Sequence, residues 1–89
     1  DLEPAVRFVE FSIKVSRASR VLLAGAFNRW QPEGLPLQKG SGSRWEVLVP
    51  LPPGRHRYLF QVDGKWTPDP AAPATARWEG LPVSVREVR

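Results

Sequence analysis

The fold class follows from residues 57–67, which read RYLFQVDGKWT. Tyr58, Phe60 and Val62 alternate with the residues at 57, 59 and 61, and this period of two predicts a strand with one buried face. The Asp63-Gly64 pair that follows is typical of a two-residue type I′ turn, because both central residues of that turn need positive φ. Residues 65–67 form the returning strand, so the stretch predicts a β-hairpin.

The rest of the chain shows similar strand patterning. Alternating apolar residues predict strands over 9–15, 45–49 and 83–88, and the apolar run at 21–27 predicts a strand buried on both faces. Residues 37–39 are a candidate short strand, and the sequence PLPPG at 50–54 is predicted to end the strand before it. No helical period is sustained over three turns. We therefore predict an all-β fold, an immunoglobulin-like two-sheet β-sandwich of six to eight short antiparallel strands.

Composition argues against several classes of function. The 89 residues form one small domain, and without Met we expect residues 1–89 to be excised from a longer chain whose adjoining domain is a partner. The lack of Cys removes thiolate chemistry, and a single histidine, His56, argues against His-rich metal sites. The net charge of +4 is scattered, which does not predict nucleic-acid binding. No apolar run approaches the roughly 20 residues of a membrane helix.

Four tryptophans are the residues most suggestive of function. Trp45 is in phase with an alternating strand, which indicates a core position. Trp30 and Trp66 follow turn residues, where an indole either stacks on a sugar ring or plugs an end of the sandwich. Trp78 precedes the last strand in what reads as a loop, and the pattern leaves open whether it extends an aromatic surface or caps the core.

Catalysis is not expected from this sequence. A glycosidase needs two carboxylates at a defined separation. The acidic residues near the tryptophan loops are Asp63, which the predicted turn explains, and Asp69, which is typical of a loop residue that bonds nearby backbone. We therefore predict a domain that is not an enzyme and needs no cofactor or metal.

Two long segments resemble a known family. Residues 21–30, VLLAGAFNRW, resemble the pattern V-x-L-x-G-x-F-N-x-W, and residues 51–70, LPPGRHRYLFQVDGKWTPDP, resemble L-P-x-G-x-H-x-Y-K-F-x-V-D-G-x-W-x-x-D-P. Both patterns are found in the family-48 carbohydrate-binding modules, also called isoamylase N-terminal or early-set domains, which include the glycogen-binding domain of the kinase β subunits. The resemblance covers about residues 5–88 and implies an early-set immunoglobulin-like sandwich that binds α-1,4-glucans.

The resemblance also implies which residues contact sugar. In kinase-type members a Trp from each motif stacks on glucose, and those positions match Trp30 and Trp66, whereas Asn28 fits a residue that shapes the loop. The strand Lys of the second motif is Leu59 here, and three sugar-contacting positions of the late loop become Glu79, Leu81 and Val83. By alternation Leu59 shares a face with two polar residues that can supply substitute hydrogen bonds. The candidate rim around the Trp pair therefore comprises Gln61, Arg57, Lys65 and Trp78.

Two functions remain open at the level of sequence. The first is a non-catalytic module that binds glycogen, starch, maltooligosaccharides or cyclodextrin. The second is a structural or protein-interaction domain of a larger enzyme or regulator, which the lost Lys and polar loop favour. Exposed, nearly coplanar indoles at positions 30 and 66 would favour the first, and burial of either indole in the sandwich would favour the second.

Overall fold

A computed structural model describes residues 6–31, 33, 35–72 and 76–89. Within these residues lie eight strands and one complete 3₁₀ turn, in the order β1 (Arg7–Lys14), β2 (Val21–Gly25), the 3₁₀ turn (Ala26–Asn28), β3 (Gln38–Lys39), β4 (Arg44–Leu51), β5 (Gly54–Val62), β6 (Lys65–Thr67), β7 (Ala76–Trp78) and β8 (Leu81–Val88). The predicted hairpin is β5–β6, and its turn residues Asp63 and Gly64 have φ of 48° and 86°. No helix in the described ranges is long and apolar enough to cross a membrane.

The strands form two antiparallel sheets. The first sheet has the order β1-β4-β3, and the second has the order β2-β5-β8-β7, with β6 pairing to β5. Alternate residues of both sheets meet in a core that contains Phe11 from the first sheet and Tyr58 from the second, in edge-to-face contact at 4.8 Å between ring centroids. Trp45 is buried in this core, as its strand phase predicts. The all-β sandwich expected from the sequence is confirmed.

Several element boundaries differ from the sequence prediction, including those of β1 and β8 by one or two residues. Strand β4 continues through Pro50 to Leu51, with Pro50 opposite Phe8. A proline is tolerated there because β3 pairs with β4 only at Trp45 and Glu46, so the outer edge of β4 beyond Glu46 forms no ladder with another described strand. The apolar run at 21–27 leaves the sheet at Gly25 and enters the 3₁₀ turn. The segment around Trp78, predicted as loop, is strand β7.

Candidate functional site

The main chain after β2 holds Trp30 in a fixed position. The Gly25 N–H donates to Asn28 Oδ1 at 2.9 Å, and Asn28 Nδ2 donates to the Gln31 carbonyl at 2.8 Å. Arg29 and Trp30 both have left-handed backbone, with φ of 58° and 60°, and the Trp30 N–H bonds the Gly25 carbonyl at 2.9 Å. Asn28 thus shapes this loop, as predicted, and its side chain is committed to main-chain partners.

Gly25 is required for this turn by close packing rather than by its φ. A Cβ at position 25 would lie 2.5 Å from the Phe27 ring and 2.6 Å from the Arg57 carbonyl. Because the Arg57 carbonyl is backbone, a rotamer change of Phe27 alone would not make room for an alanine side chain at position 25. The close approach brings the Trp30 loop against β5 of the second sheet.

Trp66 and Trp78 project from two hairpins onto the outer face of the second sheet. Trp66 lies opposite Gln61 in the β5–β6 pair, and Trp78 lies opposite Leu81 in the β7–β8 pair. The turn between β7 and β8 is Glu79-Gly80, and both residues have left-handed backbone, with φ of 48° and 84°. The Asp63-Gly64 turn between β5 and β6 has the same combination of conformations. Both hairpins therefore present one indole each to the same face.

The three side chains form what we call the Trp cluster, Trp30, Trp66 and Trp78. The rings of Trp30 and Trp78 are stacked, with centroids 4.3 Å apart and planes 10° from parallel. The Trp66 ring contacts Trp78 at 5.7 Å between centroids and is inclined by 69°. All three residues are partly exposed and none is buried in the sandwich core. The indoles at positions 30 and 66 are exposed in part, as the sugar-binding alternative requires, but they are not nearly coplanar, because Trp66 is steeply inclined to the stacked pair.

The floor of this face consists of buried aliphatic residues that lie outside the sandwich core. By strand alternation Leu22, Ala24, Leu59 and Val83 share the outer face with Trp66 and Trp78, yet each is at most 4% exposed. Their burial on an outer face indicates that the Trp cluster and its loops cover them. Leu59, which replaces the family's strand Lys, is therefore part of the floor, and Val83 is inaccessible to a ligand.

The candidate polar residues are distributed unevenly around the Trp cluster. Gln61 is directly opposite Trp66. Arg57 Nη1 donates to the Arg77 carbonyl at 3.3 Å, which places its guanidinium next to the residue that precedes Trp78. Lys65 lies opposite Val62, so strand alternation directs it away from the face that carries Trp66. Gln61 and Arg57 thus flank the cluster, and Lys65 is not brought together with them.

The two aspartates near the tryptophans have structural partners. Asp63 Oδ1 accepts the N–H groups of Ser19 and Arg20 at 2.9 and 2.8 Å, which ties the β5–β6 turn to the loop before β2. Asp69 Oδ1 accepts the Ala71 N–H at 2.9 Å, as predicted for a loop residue. Both carboxylates are engaged by these loops.

Asp69 also belongs to a buried polar network that sequence reasoning missed. Its Oδ2 accepts the Tyr58 hydroxyl at 2.6 Å, and its N–H donates to Ser84 Oγ at 2.9 Å. Ser84 Oγ donates in turn to the Ala72 carbonyl at 2.7 Å. Burial and the bond to the Asp69 carboxylate raise the pKa of Tyr58 well above its usual value. The network fixes the loop after β6 to β5 and β8.

The arrangement offers aromatic faces and a few donors rather than metal-ligating or acid–base groups. No cluster of three or more His, Cys, Asp or Glu residues that could hold a metal ion occurs within residues 6–31, 33, 35–72 and 76–89. His56, the single histidine, has its Nε2 2.9 Å from the Pro52 carbonyl and its ring edge-to-face with Phe27. It is thus held near the start of β5 by these two contacts.

Comparison with known proteins identifies similar sequences. The family model described as "Glycogen recognition site of AMP-activated protein kinase" matches residues 10–89. The pig protein 5'-AMP-activated protein kinase subunit beta-1 is 38% identical over 69 residues, which cover 78% of this chain and 54% of the relative. The bovine beta-1 subunit is 39% identical over 69 residues, covering 78% and 24%. The mouse beta-2 subunit is 42% identical over 53 residues, covering 60% and 19%. The chain therefore spans about half or less of the length of these relatives.

Proposed function

This chain belongs to the family described as the glycogen recognition site of AMP-activated protein kinase, and we propose that it is a non-catalytic module that binds α-1,4-linked glucans. Glycogen, starch, maltooligosaccharides and cyclodextrins are the expected ligands. The observation that carries the proposal is the Trp cluster, in which three partly exposed indoles meet on one outer face of the sandwich. Two of them, Trp30 and Trp66, match the stacking positions of the family motifs.

Stacking on inclined rings is the proposed mode of recognition. The C–H face of a glucose ring packs against an indole face, which provides apolar contact without requiring a directed hydrogen bond. An α-1,4-linked chain curves, so successive glucose rings turn relative to one another. The 69° inclination between Trp66 and Trp78 suits such a chain better than it suits a straight, flat one. Trp30 stacks on one face of Trp78, so it holds that ring in place and leaves only its own remaining exposed surface for contact with sugar.

Polar contacts to the hydroxyl groups are assigned to the residues that flank the Trp cluster. Gln61 can donate and accept beside Trp66, and the Arg57 guanidinium carries further N–H donors besides the one bonded to Arg77. Lys65 is assigned a peripheral role, because it projects from the other side of β6. With few polar contacts, binding is expected to be weak, in the millimolar to micromolar range, or about 4–8 kcal/mol. A weak module of this kind would bring an adjoining domain of its parent chain to a glucan.

Calorimetric titration with maltoheptaose tests this proposal. Wild-type protein should bind, and Trp66→Ala should weaken binding by about three- to tenfold, the value of one aromatic stacking contact. Phe8→Ala is the matched control, because Phe8 is an exposed aromatic (75%) on the first sheet. Unchanged affinity in Trp66→Ala, or an equal loss in Phe8→Ala, would contradict the proposed platform.

A second candidate function has one specific observation in its favour. Trp78 covers a face of Trp30, and the aliphatic floor beneath the Trp cluster is buried, as expected if the cluster serves to close the outer face of the sheet. The domain would then be structural or would bind a protein. This function predicts that removing a Trp of the cluster destabilises the fold while maltoheptaose does not bind even to the wild-type protein.

A further inference from the structure

A cationic cleft lies beside the Trp cluster. Arg55 and Arg57 of β5, with Ala76 of β7 and Val85 of β8, line a cavity of about 330 Å³. Both arginines are exposed. They are two residues apart on one strand, so their side chains leave the same face about 7 Å apart. Two guanidinium groups therefore border one small cleft, and the other described residues that line it have short apolar side chains.

The charge of this cleft has no paired carboxylate among the residues that the structure describes. None of the ion pairs within 4 Å among the described residues involves Arg55 or Arg57. Glu87 is opposite Arg55 in register, but its carboxylate pairs with Arg89 at 3.5 Å. To the described residues Arg57 donates one side-chain hydrogen bond, to the Arg77 carbonyl, and it is long, at 3.3 Å. Within the described part of the chain, most guanidinium N–H groups of the cleft thus have no acceptor and can bind an anion.

The cleft is continuous with the proposed sugar-binding face. Ala76 shares the outer face of β7 with Trp78, two residues further along, and Arg57 bonds the residue between them. On β5 the outer face carries Arg55, Arg57, Leu59 and Gln61 in that order, a span of about 20 Å. A glucan that stacks on Trp66 and Trp78 can therefore extend toward the two arginines.

Given the proposed glucan binding, on which this inference rests, we propose that the cleft binds a phosphate monoester carried by the glucan. Such a group has a charge of about −1.5 to −2 at pH 7 and three acceptor oxygens. Guanidinium groups match these oxygens with paired, charge-assisted hydrogen bonds. A neutral glucan offers no charge to the cleft, so the arginines select for the phosphorylated chain.

Paired oligosaccharides provide the test. Maltoheptaose and maltoheptaose bearing one phosphate monoester are titrated by calorimetry at low ionic strength into wild-type protein, Arg55→Gln and Lys14→Gln. Lys14 is the charge-matched control, because it is exposed on the outer face of the first sheet. The phosphorylated ligand should bind wild type about tenfold more tightly, since two exposed ion pairs contribute modestly, and the preference should decline with added salt. Arg55→Gln should lose most of the preference with unchanged affinity for maltoheptaose, and Lys14→Gln should retain it.

Each other result has a distinct meaning. Equal binding of the two oligosaccharides to wild type would overturn the cleft proposal and leave the proposed glucan binding intact. A preference that persists in Arg55→Gln, or is lost equally in Lys14→Gln, would also overturn it, because net charge rather than the cleft would be responsible. Inorganic phosphate is titrated alone; if it binds as tightly as the phosphorylated oligosaccharide, the cleft is a site for free phosphate and the proposal is wrong. Absence of binding by both oligosaccharides would refute the glucan function itself, and this inference with it.

Discussion

Replacing Trp78 by alanine tests whether the Trp cluster is a cooperative unit of the fold as well as a ligand surface. Trp78 makes both aromatic contacts of the cluster, at 4.3 Å to Trp30 and 5.7 Å to Trp66. Each aromatic pair contributes about 0.5–1.5 kcal/mol beyond area burial. The substitution also removes half-buried indole surface and exposes aliphatic floor, which adds about 1 kcal/mol or more.

We therefore expect Trp78→Ala to lower the free energy of unfolding by about 2–4 kcal/mol. A domain of 89 residues has a total stability of roughly 5–13 kcal/mol, so the variant should still fold. Urea unfolding followed by far-UV circular dichroism measures the loss. Phe8→Ala, an exposed aromatic outside the cluster, should change stability by no more than about 0.5 kcal/mol.

A double-mutant cycle separates the energy of the Trp30–Trp78 stacking contact from the other effects of each substitution on stability. Trp30→Ala, Trp78→Ala and the double variant should show a coupling of about 0.5–1.5 kcal/mol, because the two rings are in face-to-face contact. Close indole pairs also give an exciton couplet in the circular dichroism spectrum, which Trp78→Ala should abolish because Trp78 belongs to both pairs, whereas Trp30→Ala leaves the Trp66–Trp78 pair. Additive single effects with no couplet, or a Trp78→Ala effect no larger than that of Phe8→Ala, would refute the clustered arrangement.

Three further perturbations follow from particular contacts. Tyr58→Phe removes the hydroxyl that donates to Asp69 at 2.6 Å and should lower the free energy of unfolding by about 2–3 kcal/mol at neutral pH. Because folding raises the pKa of Tyr58, only the unfolded state loses this proton above about pH 10, and wild-type stability should decline there by at most about 1.4 kcal/mol per pH unit. Urea titrations across that range should show a shallower decline in the variant. Leu59→Lys restores the family's residue but places an ammonium at a site 1% exposed, so it should destabilise the fold by about 2 kcal/mol or more in thermal unfolding and should not improve maltoheptaose affinity. Asn28→Ala removes the bonds to Gly25 and Gln31, so calorimetry should show weaker maltoheptaose binding with a stability loss of about 1–2 kcal/mol.

Local patterns in the sequence were sufficient to predict much of the fold. The β5–β6 hairpin is predictable because alternation and an Asp-Gly turn both act within about ten residues. The core position of Trp45 follows from strand phase alone. The role of Asn28 is also local, since its side-chain partners are three residues away on either side.

The parts that escaped prediction depend on tertiary contacts. Strand β7 has three residues and is recognisable as a strand only from its pairing with β8, across a turn in which Glu79 rather than Gly, Asn or Asp takes the first left-handed position. The stacking of Trp30 on Trp78 joins residues 48 positions apart in sequence. Burial of Leu59 and Val83 on an outer face likewise requires a cover that strand alternation does not reveal.

The central claim is that the Trp cluster is the glucan-binding surface. An NMR titration with β-cyclodextrin and maltoheptaose tests it most directly, by following the indole N–H signals of all four tryptophans. The signals of Trp66, Trp78 and Trp30 should shift and saturate together, whereas that of Trp45, buried in the core, should not move. Trp66→Ala and Trp30→Ala should shift the saturation of the remaining cluster signals to higher sugar concentration, and Phe8→Ala, the control, should leave it unchanged. No movement of any cluster indole at millimolar sugar would contradict the account.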